Sequence, residues 1–135
     1  MKRPKTNIFH LDFQKETECA WQNSRPILRH LVLESEGIAS SSLEHQKLIT
    51  ILERLCDKLK LHIVQKLDHR FVPYGKSIVF ILSESHLAVH TWPENGYIHI
   101  DLVTCAKEEI NPQEMVLGFR KIFKPRNTRL LKLKY

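Results

Sequence analysis

The sequence predicts an α+β fold, a two-layer sandwich in which two helices cover one face of a mainly antiparallel sheet. One segment carries apolar residues at helical spacing, a second begins with the residues of a helix cap, and much of the rest consists of short apolar or alternating runs bounded by turn residues. The resulting order, strand–helix–strands–helix–strand, is typical of this class, because both helices bury their apolar stripes against the same sheet.

The two helices are predicted from their caps and their spacing. Ser41-Ser42-Leu43-Glu44 matches a capping box, in which serine and glutamate side chains satisfy free amides of the first turn. Apolar residues then recur at helical spacing to about Lys60: Leu48, Leu52, Leu55 and Leu59, with Cys56 beside them. Asn111 as the cap and Pro112 in the first turn open a second helix, which runs to about Phe123.

Six strands are predicted before, between and after the two helices. They are predicted at 27–33, 61–69, 77–83, 86–92, 97–103 and 130–135. Pro73 and Gly75 form one connection, and Pro93-Glu94-Asn95-Gly96 forms a hairpin turn. Residues 1–25 lack periodicity, so we expect a loose or partner-docked N-terminal arm before a single domain at 26–135.

Length and composition indicate one cytoplasmic domain. The chain has 135 residues, of which 27% are charged and 42% hydrophobic, as in ordinary soluble globular proteins. No apolar stretch approaches the ~20 residues that cross a bilayer, and the basic start lacks the apolar segment of a secretory signal. The cysteines Cys19, Cys56 and Cys105 are widely spaced, which favours reduced thiols over a disulfide framework. We therefore expect no membrane partner.

The net charge of +6 is interpreted as solvated surface charge rather than as a nucleic-acid interface. The basic residues concentrate near the two ends of the chain, at Lys2, Arg3 and Lys5 and at Lys121, Lys124, Arg126, Arg129, Lys132 and Lys134. No nucleic-acid motif or series of stacking aromatic residues accompanies them. We expect no nucleic-acid partner, although this charge is compatible with an anionic one.

One strand predicts a second covering layer. Ile78-Val79-Phe80-Ile81-Leu82 is apolar at every position, so both of its faces should be buried. The two helices cover only one face. A homodimer packed sheet to sheet would cover the other face, and the N-terminal arm is the alternative cover.

A set of unusual residues at fixed spacings extends through the middle of the chain. It comprises Phe71, Pro73, Gly75 and Ser77, then Glu84-Ser85-His86, then His90-Thr91-Trp92-Pro93-Glu94, and finally Cys105. This block resembles the prokaryotic S-adenosylmethionine decarboxylase proenzymes, over about 29–105. The resemblance implies a homodimer of processed two-chain protomers with active sites near the subunit interface. It also implies decarboxylation of the small molecule S-adenosylmethionine for spermidine and other polyamine synthesis.

Proteins of that family make their own cofactor. The resemblance implies that the Ser85 hydroxyl attacks the Glu84 carbonyl and converts the amide into an ester. Elimination and hydrolysis then leave a pyruvoyl group at a new N-terminus, and the products are chains 1–84 and 85–135. A pyruvoyl carbonyl forms a Schiff base with a substrate amine and withdraws electrons as CO₂ departs. The ordinary alternative for Ser85 is a turn serine.

The resemblance gives roles to three further residues. His90 corresponds to the histidine that assists cleavage by removing the Cα proton of Ser85, a task suited to an imidazole, and His86 is the competing candidate. Ser77 corresponds to the serine that supports processing. Cys105 corresponds to the thiol that returns a proton to the substrate, since an ordinary thiol is mostly protonated at neutral pH. Structural packing is the alternative for each of them.

Phe71 and Glu94 correspond to substrate-binding positions. The aromatic ring is suited to stacking on adenine, and the carboxylate to accepting hydrogen bonds from both ribose hydroxyls; core packing and a solvated carboxylate are the alternatives. The chain departs from the family pattern at Lys76, Ile78 and Ala106. A lysine at this position would repel a sulfonium cation unless it points away.

Other functions remain open on sequence grounds. A pyruvoyl-dependent ornithine or arginine decarboxylase would use the same cleavage chemistry, and an uncleaved regulatory homologue would use none. A zinc site is a further alternative, because His86, His90, His99 and Asp101 lie on neighbouring predicted strands. Their spacing matches no ligand signature, so we expect no metal.

Overall fold

The structure is a computed structural model that describes residues 6–12, 27–106 and 109–134. Seven strands form one sheet: β1 (Thr6–Asp12), β2 (Arg29–Glu36), β3 (Ile63–Arg70), β4 (Lys76–Leu82), β5 (Ser85–Trp92), β6 (Tyr97–Thr104) and β7 (Asn127–Lys134). Two helices follow β2 and β6: α1 (His45–Lys58) and α2 (Pro112–Phe123). For β1 and for Lys134 only the backbone is described.

The sheet has the strand order β1-β7-β2-β6-β5-β4-β3. Strands β1 and β7 run parallel, and every other neighbouring pair is antiparallel. The sheet is therefore mainly antiparallel, and the predicted α+β sandwich is confirmed. Strand β5 lies between β4 and β6, so residues at both of its ends have neighbours on either side.

The helices cover one face of the sheet. Ile78, Phe80 and Leu82 of β4 are at most 4% exposed, and they join one core with the apolar residues of both helices. Because side chains alternate along a strand, the intervening residues point to the other side. We call that side the open face; its central part is formed by Ser77, Val79 and Ile81 of β4, His86, Ala88 and His90 of β5, and His99, Asp101 and Val103 of β6.

The apolar strand β4 is buried on its helix-covered face only. On the open face, Val79 is half-buried and Ile81 is 39% exposed. The predicted burial of both faces is therefore not achieved by the described residues of one chain. This leaves room for a second layer over the open face.

Helix α1 begins later than the sequence predicts. Ser40–Leu43 form a separate 3₁₀ turn, and Glu44 occupies the N-cap position without a side-chain capping bond. The predicted capping box is wrong, because its serines belong to the 3₁₀ turn and not to the first turn of the helix. The helix also ends at Lys58, two residues before the predicted Lys60.

Helix α2 begins as predicted. The Asn111 side chain accepts a hydrogen bond from the Gln113 amide at 2.9 Å, which satisfies one of the free donors of the first turn. Neither helix in the described part of the chain is long and apolar enough to cross a membrane.

Part of the predicted N-terminal arm is a strand. Strand β1 pairs with β7 over its whole length, from Thr6 opposite Thr128 to Asp12 opposite Lys134. The expectation of a loose arm is therefore wrong for these residues, because they pair with the last strand of the chain. The rest of the arm, including Cys19, lies outside the described residues.

The turn between β5 and β6 fixes the position of Glu94. Pro93–Asn95 form a short 3₁₀ turn, and Gly96 ends it with a φ of 59°. A Cβ atom at Gly96 would lie 2.8 Å from the Ile38 carbonyl oxygen, so both the conformation and the space require glycine. This confirms the predicted hairpin turn.

Candidate active site

Ser85 begins β5 in a strained backbone conformation. The two-residue turn Ser83-Glu84 joins β4 to β5, and Leu82 and Ser85 face each other across the hairpin. The φ of Ser85 is 140°, in a region that residues other than glycine rarely adopt. Such a conformation costs roughly 1–3 kcal/mol, and here the strain is stored next to the Glu84–Ser85 peptide bond.

Cys105 holds the carbonyl group of that bond. Its backbone N–H donates a hydrogen bond to the Glu84 carbonyl oxygen at 2.8 Å, and its thiol donates to the same oxygen at 3.2 Å. The thiol also lies 3.8 Å from the Glu84 carboxylate. Two donors therefore converge on the oxygen that would become negatively charged if Ser85 attacked the carbonyl.

His86 is the histidine next to the Ser85 hydroxyl. The Ser85 Oγ lies 3.3 Å from His86 Nδ1, and both residues are half-buried. Ser85 also faces Thr104 on β6, which brings the following residue, Cys105, alongside the turn. Glu84, Ser85, His86 and Cys105 thus lie together, and we call them the cleavage cluster.

Ser77 and His90 form a second pair. They face each other on β4 and β5, and the Ser77 Oγ lies 2.7 Å from His90 Nδ1. Because Nδ1 is engaged by the hydroxyl, the Nε2 atom of His90 is the nitrogen left for proton transfer. On the other side the ring centroid of His99 lies 6.2 Å from that of His90.

A cavity of about 360 Å³ adjoins the Ser77–His90 pair. Its lining includes Phe71 and Glu94 as well as Ser77 and His90, so four residues singled out from the sequence converge there. The volume is within the range of small-molecule sites. We call it the binding cavity.

The cleavage cluster and the binding cavity lie toward opposite ends of β5. Ser85 and His90 are five residues apart, which corresponds to about 16 Å along a strand. That separation exceeds the reach of a hydrogen bond or a direct proton transfer. Within one chain, the structure therefore divides the residues predicted from sequence into two groups.

The ammonium group of Lys76 is engaged on the helix side of the sheet. Lys76 lines the cavity, but its Nζ atom donates to the Leu43 carbonyl oxygen just before α1. Burial lowers the pKa of Lys76, and the nearby positive charge of Arg70 lowers it further. The departure from the family pattern therefore does not point a free cation into the cavity.

The histidines of the open face are not arranged as a metal site. Asp101 contacts His30, and His86 lies near Ser85 rather than near His90. Among the residues that the structure describes, no group of three or more His, Cys, Asp or Glu side chains is placed to hold a metal ion.

Cys56 is a structural residue, as its helical spacing indicated. It is fully buried in the core, and burial raises the pKa of its thiol to about 12. The thiol is therefore protonated and inert at neutral pH.

Sequence reasoning missed two aromatic residues of the cavity, Tyr74 and Trp92. Trp92 lies inside the His90–Glu94 block, so its position was a signal that could have been used. Tyr74 precedes Gly75 in a turn whose course the sequence does not reveal.

Comparison with known proteins places this chain in a family. A family model described as S-adenosylmethionine decarboxylase matches residues 29–134. The chain belongs to the S-adenosylmethionine decarboxylase family. Relatives support this: the S-adenosylmethionine decarboxylase proenzyme of Methanococcus maripaludis is 33% identical over 110 residues, which cover 78% of this chain and 87% of that protein. The proenzyme of Thermotoga petrophila is 38% identical over 104 residues, which cover 76% of this chain and 79% of that protein.

Shorter and structural matches agree with this family. A proenzyme of the same name from Clostridium botulinum (strain Loch Maree / Type A3) is 43% identical over 79 residues, or 58% of this chain and 68% of that protein. The crystal structure of the Aquifex aeolicus adenosylmethionine decarboxylase covers 81% of this chain and 90% of its own, with a TM-score of 0.66 and 20% identity. The match to the Trypanosoma brucei AdoMetDC monomer covers 76% of this chain and 44% of that one, with a TM-score of 0.54 and 17% identity. The two structures show that the fold is shared.

Proposed function

We propose that this protein is a self-processing decarboxylase that acts on S-adenosylmethionine and cuts its own chain between Glu84 and Ser85. One observation carries the proposal: the Glu84 carbonyl is held by two donors of Cys105 directly beside a strained Ser85. An oxyanion formed on that carbonyl would be stabilised by the same two donors. The family and the names of the relatives support the choice of substrate.

The first step of cleavage is an acyl shift. The Ser85 Oγ attacks the Glu84 carbonyl carbon, an ester bond forms, and the Glu84–Ser85 amide bond breaks. The hydroxyl proton ends on the released amine of Ser85, and His86 Nδ1 at 3.3 Å is placed to carry it. Breaking the bond releases the backbone strain at Ser85, which favours the shift.

The second step is an elimination that needs a base. When the Ser85 Cα proton is removed, the Cβ–Oγ bond breaks, Glu84 leaves as a carboxylate and a dehydroalanine remains. Water then hydrolyses the dehydroalanine to a ketone and releases its nitrogen as ammonia. We assign the base to His90, held by Ser77. The ketone produced is the pyruvoyl group, which serves as an electron sink for decarboxylation.

We assign this base to a second copy of the chain. His90 of the same protomer lies about 16 Å from Ser85 along β5, whereas the open face leaves room for another layer. A two-fold dimer packed sheet to sheet, with its axis running across the strands, would reverse the strand direction of one copy over the other. It would thereby bring His90 of the partner subunit toward Ser85, and both copies would contribute to each site.

The remaining residues handle the substrate. Phe71 and Glu94 in the binding cavity are suited to the adenine ring and the ribose hydroxyls of S-adenosylmethionine. Cys105 contacts the bond that yields the pyruvoyl group, so its thiol is near enough to return a proton to the substrate carbon after CO₂ leaves. The product would be the aminopropyl donor of polyamine synthesis.

Intact mass and CO₂ release test the proposal together. We expect purified protein to contain chains 1–84 and 85–135, with the second blocked by a ketone, and to release CO₂ from S-adenosylmethionine. Faster release of CO₂ from ornithine or arginine would instead identify the protein as a pyruvoyl-dependent ornithine or arginine decarboxylase, which uses the same cleavage chemistry. A pure 135-residue species with no CO₂ release would support an uncleaved regulatory homologue and contradict the proposal.

A further inference from the structure

Cys105 lies one residue beyond the end of β6, outside the paired part of the sheet. The last paired residue is Thr104, which faces Ser85 of β5 on one side and Arg29 of β2 on the other. Cys105 itself is exposed, so side-chain packing does not fix it. Its amide and its thiol nevertheless both reach the Glu84 carbonyl oxygen, at 2.8 Å and 3.2 Å. Contacts of the neighbouring residues must therefore keep it oriented.

The peptide groups that follow Cys105 are held from two sides. The Ala106 N–H donates a hydrogen bond to Thr104 Oγ1 at 3.1 Å, and the Arg29 guanidinium donates to the Ala106 carbonyl oxygen. Thr104 is 1% exposed, so its oxygen lies where a missing hydrogen bond would be costly. Arg29 is half-buried, and the pairing of β2 with β6 fixes its backbone. We call Thr104 and Arg29 the Ala106 clamp.

Two held peptide groups set the direction of the side chain between them. Peptide groups are planar, so each residue has only two soft backbone torsions, φ and ψ. The φ and ψ of Cys105 lie between the peptide group that donates to Glu84 and the one that donates to Thr104. With both groups tied, these torsions have little freedom, and the thiol is aimed at the Glu84–Ser85 bond.

We infer that Thr104 and Arg29 are positioning residues that aim the Cys105 thiol. The inference rests on the proposed function, in which this thiol returns a proton to the substrate carbon. The clamp acts through the peptide groups of Ala106 and not by contact with the substrate. Its loss should therefore misdirect the proton without weakening substrate binding, so kcat should fall while KM stays unchanged.

The first test follows the thiol in a chain that cannot be cut. In the Ser85→Ala background the scissile carbonyl stays in place, and alkylation of Cys105 by iodoacetamide is measured by peptide mass mapping. Thr104→Val and Arg29→Met should each speed this alkylation by roughly 2- to 10-fold, the effect of losing one hydrogen bond. Cys56 of the same chain is fully buried, so its alkylation reports general opening of the fold and should not change.

Matched variants separate the clamp from general stability. Thr104→Ser keeps the hydroxyl and should restore the alkylation rate of the background protein. Thr128→Val removes another buried hydroxyl, which lies 2.7 Å from the Ser35 hydroxyl at the opposite end of β2, and should leave Cys105 unchanged. Arg54→Met, at an exposed arginine on α1, is the control for the arginine of the clamp.

The fate of the proton is the second test, in protein that cleaves itself. After CO₂ leaves, one proton is taken up either by the substrate carbon or by the chain's own carbonyl carbon derived from Ser85. In the second case the amine nitrogen passes to the chain and the carbonyl oxygen to the substrate, which gives an aldehyde and an N-terminal alanine on chain 85–135. Both clamp variants should raise the alanine formed per CO₂ by roughly 2- to 10-fold. Edman degradation detects this alanine, because the ketone-blocked chain gives no signal.

Three results would overturn the inference. One is unchanged alkylation of Cys105 in both clamp variants. Another is faster alkylation of Cys105 and Cys56 together, which would make the clamp residues general stabilisers of the fold. The third is a normal kcat and normal alanine formation in both variants, which would remove the clamp from proton transfer. A wild-type chain that is never cleaved would instead contradict the proposed function, and the alkylation test would still decide whether the clamp aims the thiol.

Discussion

The two ends of β5 are built in different ways. At the Ser85 end the reactive features belong to the backbone: a φ of 140° and a carbonyl that accepts a hydrogen bond from the Cys105 amide. At the His90 end they belong to side chains: the 2.7 Å contact with Ser77 and the cavity beside it. The comparison teaches that cleavage, once the Ser85 hydroxyl and the His90 base are present, should tolerate other side-chain changes that keep the backbone in place. Substrate binding should not tolerate changes in the cavity.

The largest effect is expected at the hydroxyl that joins the two steps. Ser85→Ala removes the only atom that can form the ester, so the chain should remain a single species of 135 residues and release no CO₂. Intact mass spectrometry reads this directly. Ser83→Ala, in the same exposed turn, is the matched control and should still be cleaved. Cleavage of the Ser85→Ala protein at this bond would contradict the mechanism.

The next largest effect separates the acyl shift from the elimination. His90→Ala should permit the ester to form but slow its elimination by about 10²–10⁴-fold. Hydroxylamine, which cleaves esters and leaves amides intact, should then cut the accumulated protein between Glu84 and Ser85. His86→Ala tests the competing assignment. If the His86→Ala protein stops at the ester while the His90→Ala protein is processed normally, His86 is the base of the elimination and the partner subunit is not needed.

A third prediction tests whether the cleavage end depends on its backbone. Cys105→Ala keeps the amide N–H that donates to Glu84 and removes the thiol. Cleavage should therefore proceed within about tenfold of the wild-type rate, because the amide that remains is the stronger of the two oxyanion donors and a thiol donates only weakly. CO₂ release should fall by about 10²-fold or more, because the proton donor to the substrate is lost. Turnover at the normal rate would remove the thiol from catalysis.

The smallest effect is expected in the binding cavity. Glu94→Gln should raise KM for S-adenosylmethionine by roughly 10-fold, the loss of one charge-assisted hydrogen bond, and leave self-cleavage unchanged. Steady-state kinetics measure KM, and intact mass spectrometry measures self-cleavage. Glu114→Gln, at an exposed carboxylate on α2, serves as the control. Loss of cleavage in Glu94→Gln would mean that this carboxylate also takes part in self-processing.

Much of the fold follows from local sequence. Helical spacing located α1, and a cap residue followed by proline located α2. The strands that carry Ser77 and His90 lie where apolar runs and turns predicted them. The errors arose where a choice depends on distant partners. Periodicity within a segment cannot show that β1 pairs with β7. The capping box was wrong because the same serines form a 3₁₀ turn before the helix.

The candidate site was predictable as a set of residues but not as a geometry. The family resemblance grouped Ser77, Ser85, His90 and Cys105, whereas strand register decides which of them meet. Cys105 reaches Glu84 because β6 pairs with β5, and His90 meets Ser77 because β5 pairs with β4. The five-residue spacing along one strand already implies that Ser85 and His90 lie about 16 Å apart, whereas the positive φ of Ser85 is seen only in the structure.

The central claim, that each site combines Ser85 of one chain with His90 of another, is tested most directly by mixing two inactive chains. Ser85→Ala and His90→Ala proteins carrying tags of different mass are expressed together, and cleavage of each chain is followed by intact mass. The mixed dimer should contain one complete site, so the His90→Ala chain should be cut at Ser85 while the Ser85→Ala chain stays whole. Adding Ile81→Asp to both chains places charges on the open face and should abolish this rescue. No cleavage of the His90→Ala chain in an isolated mixed dimer would contradict the account.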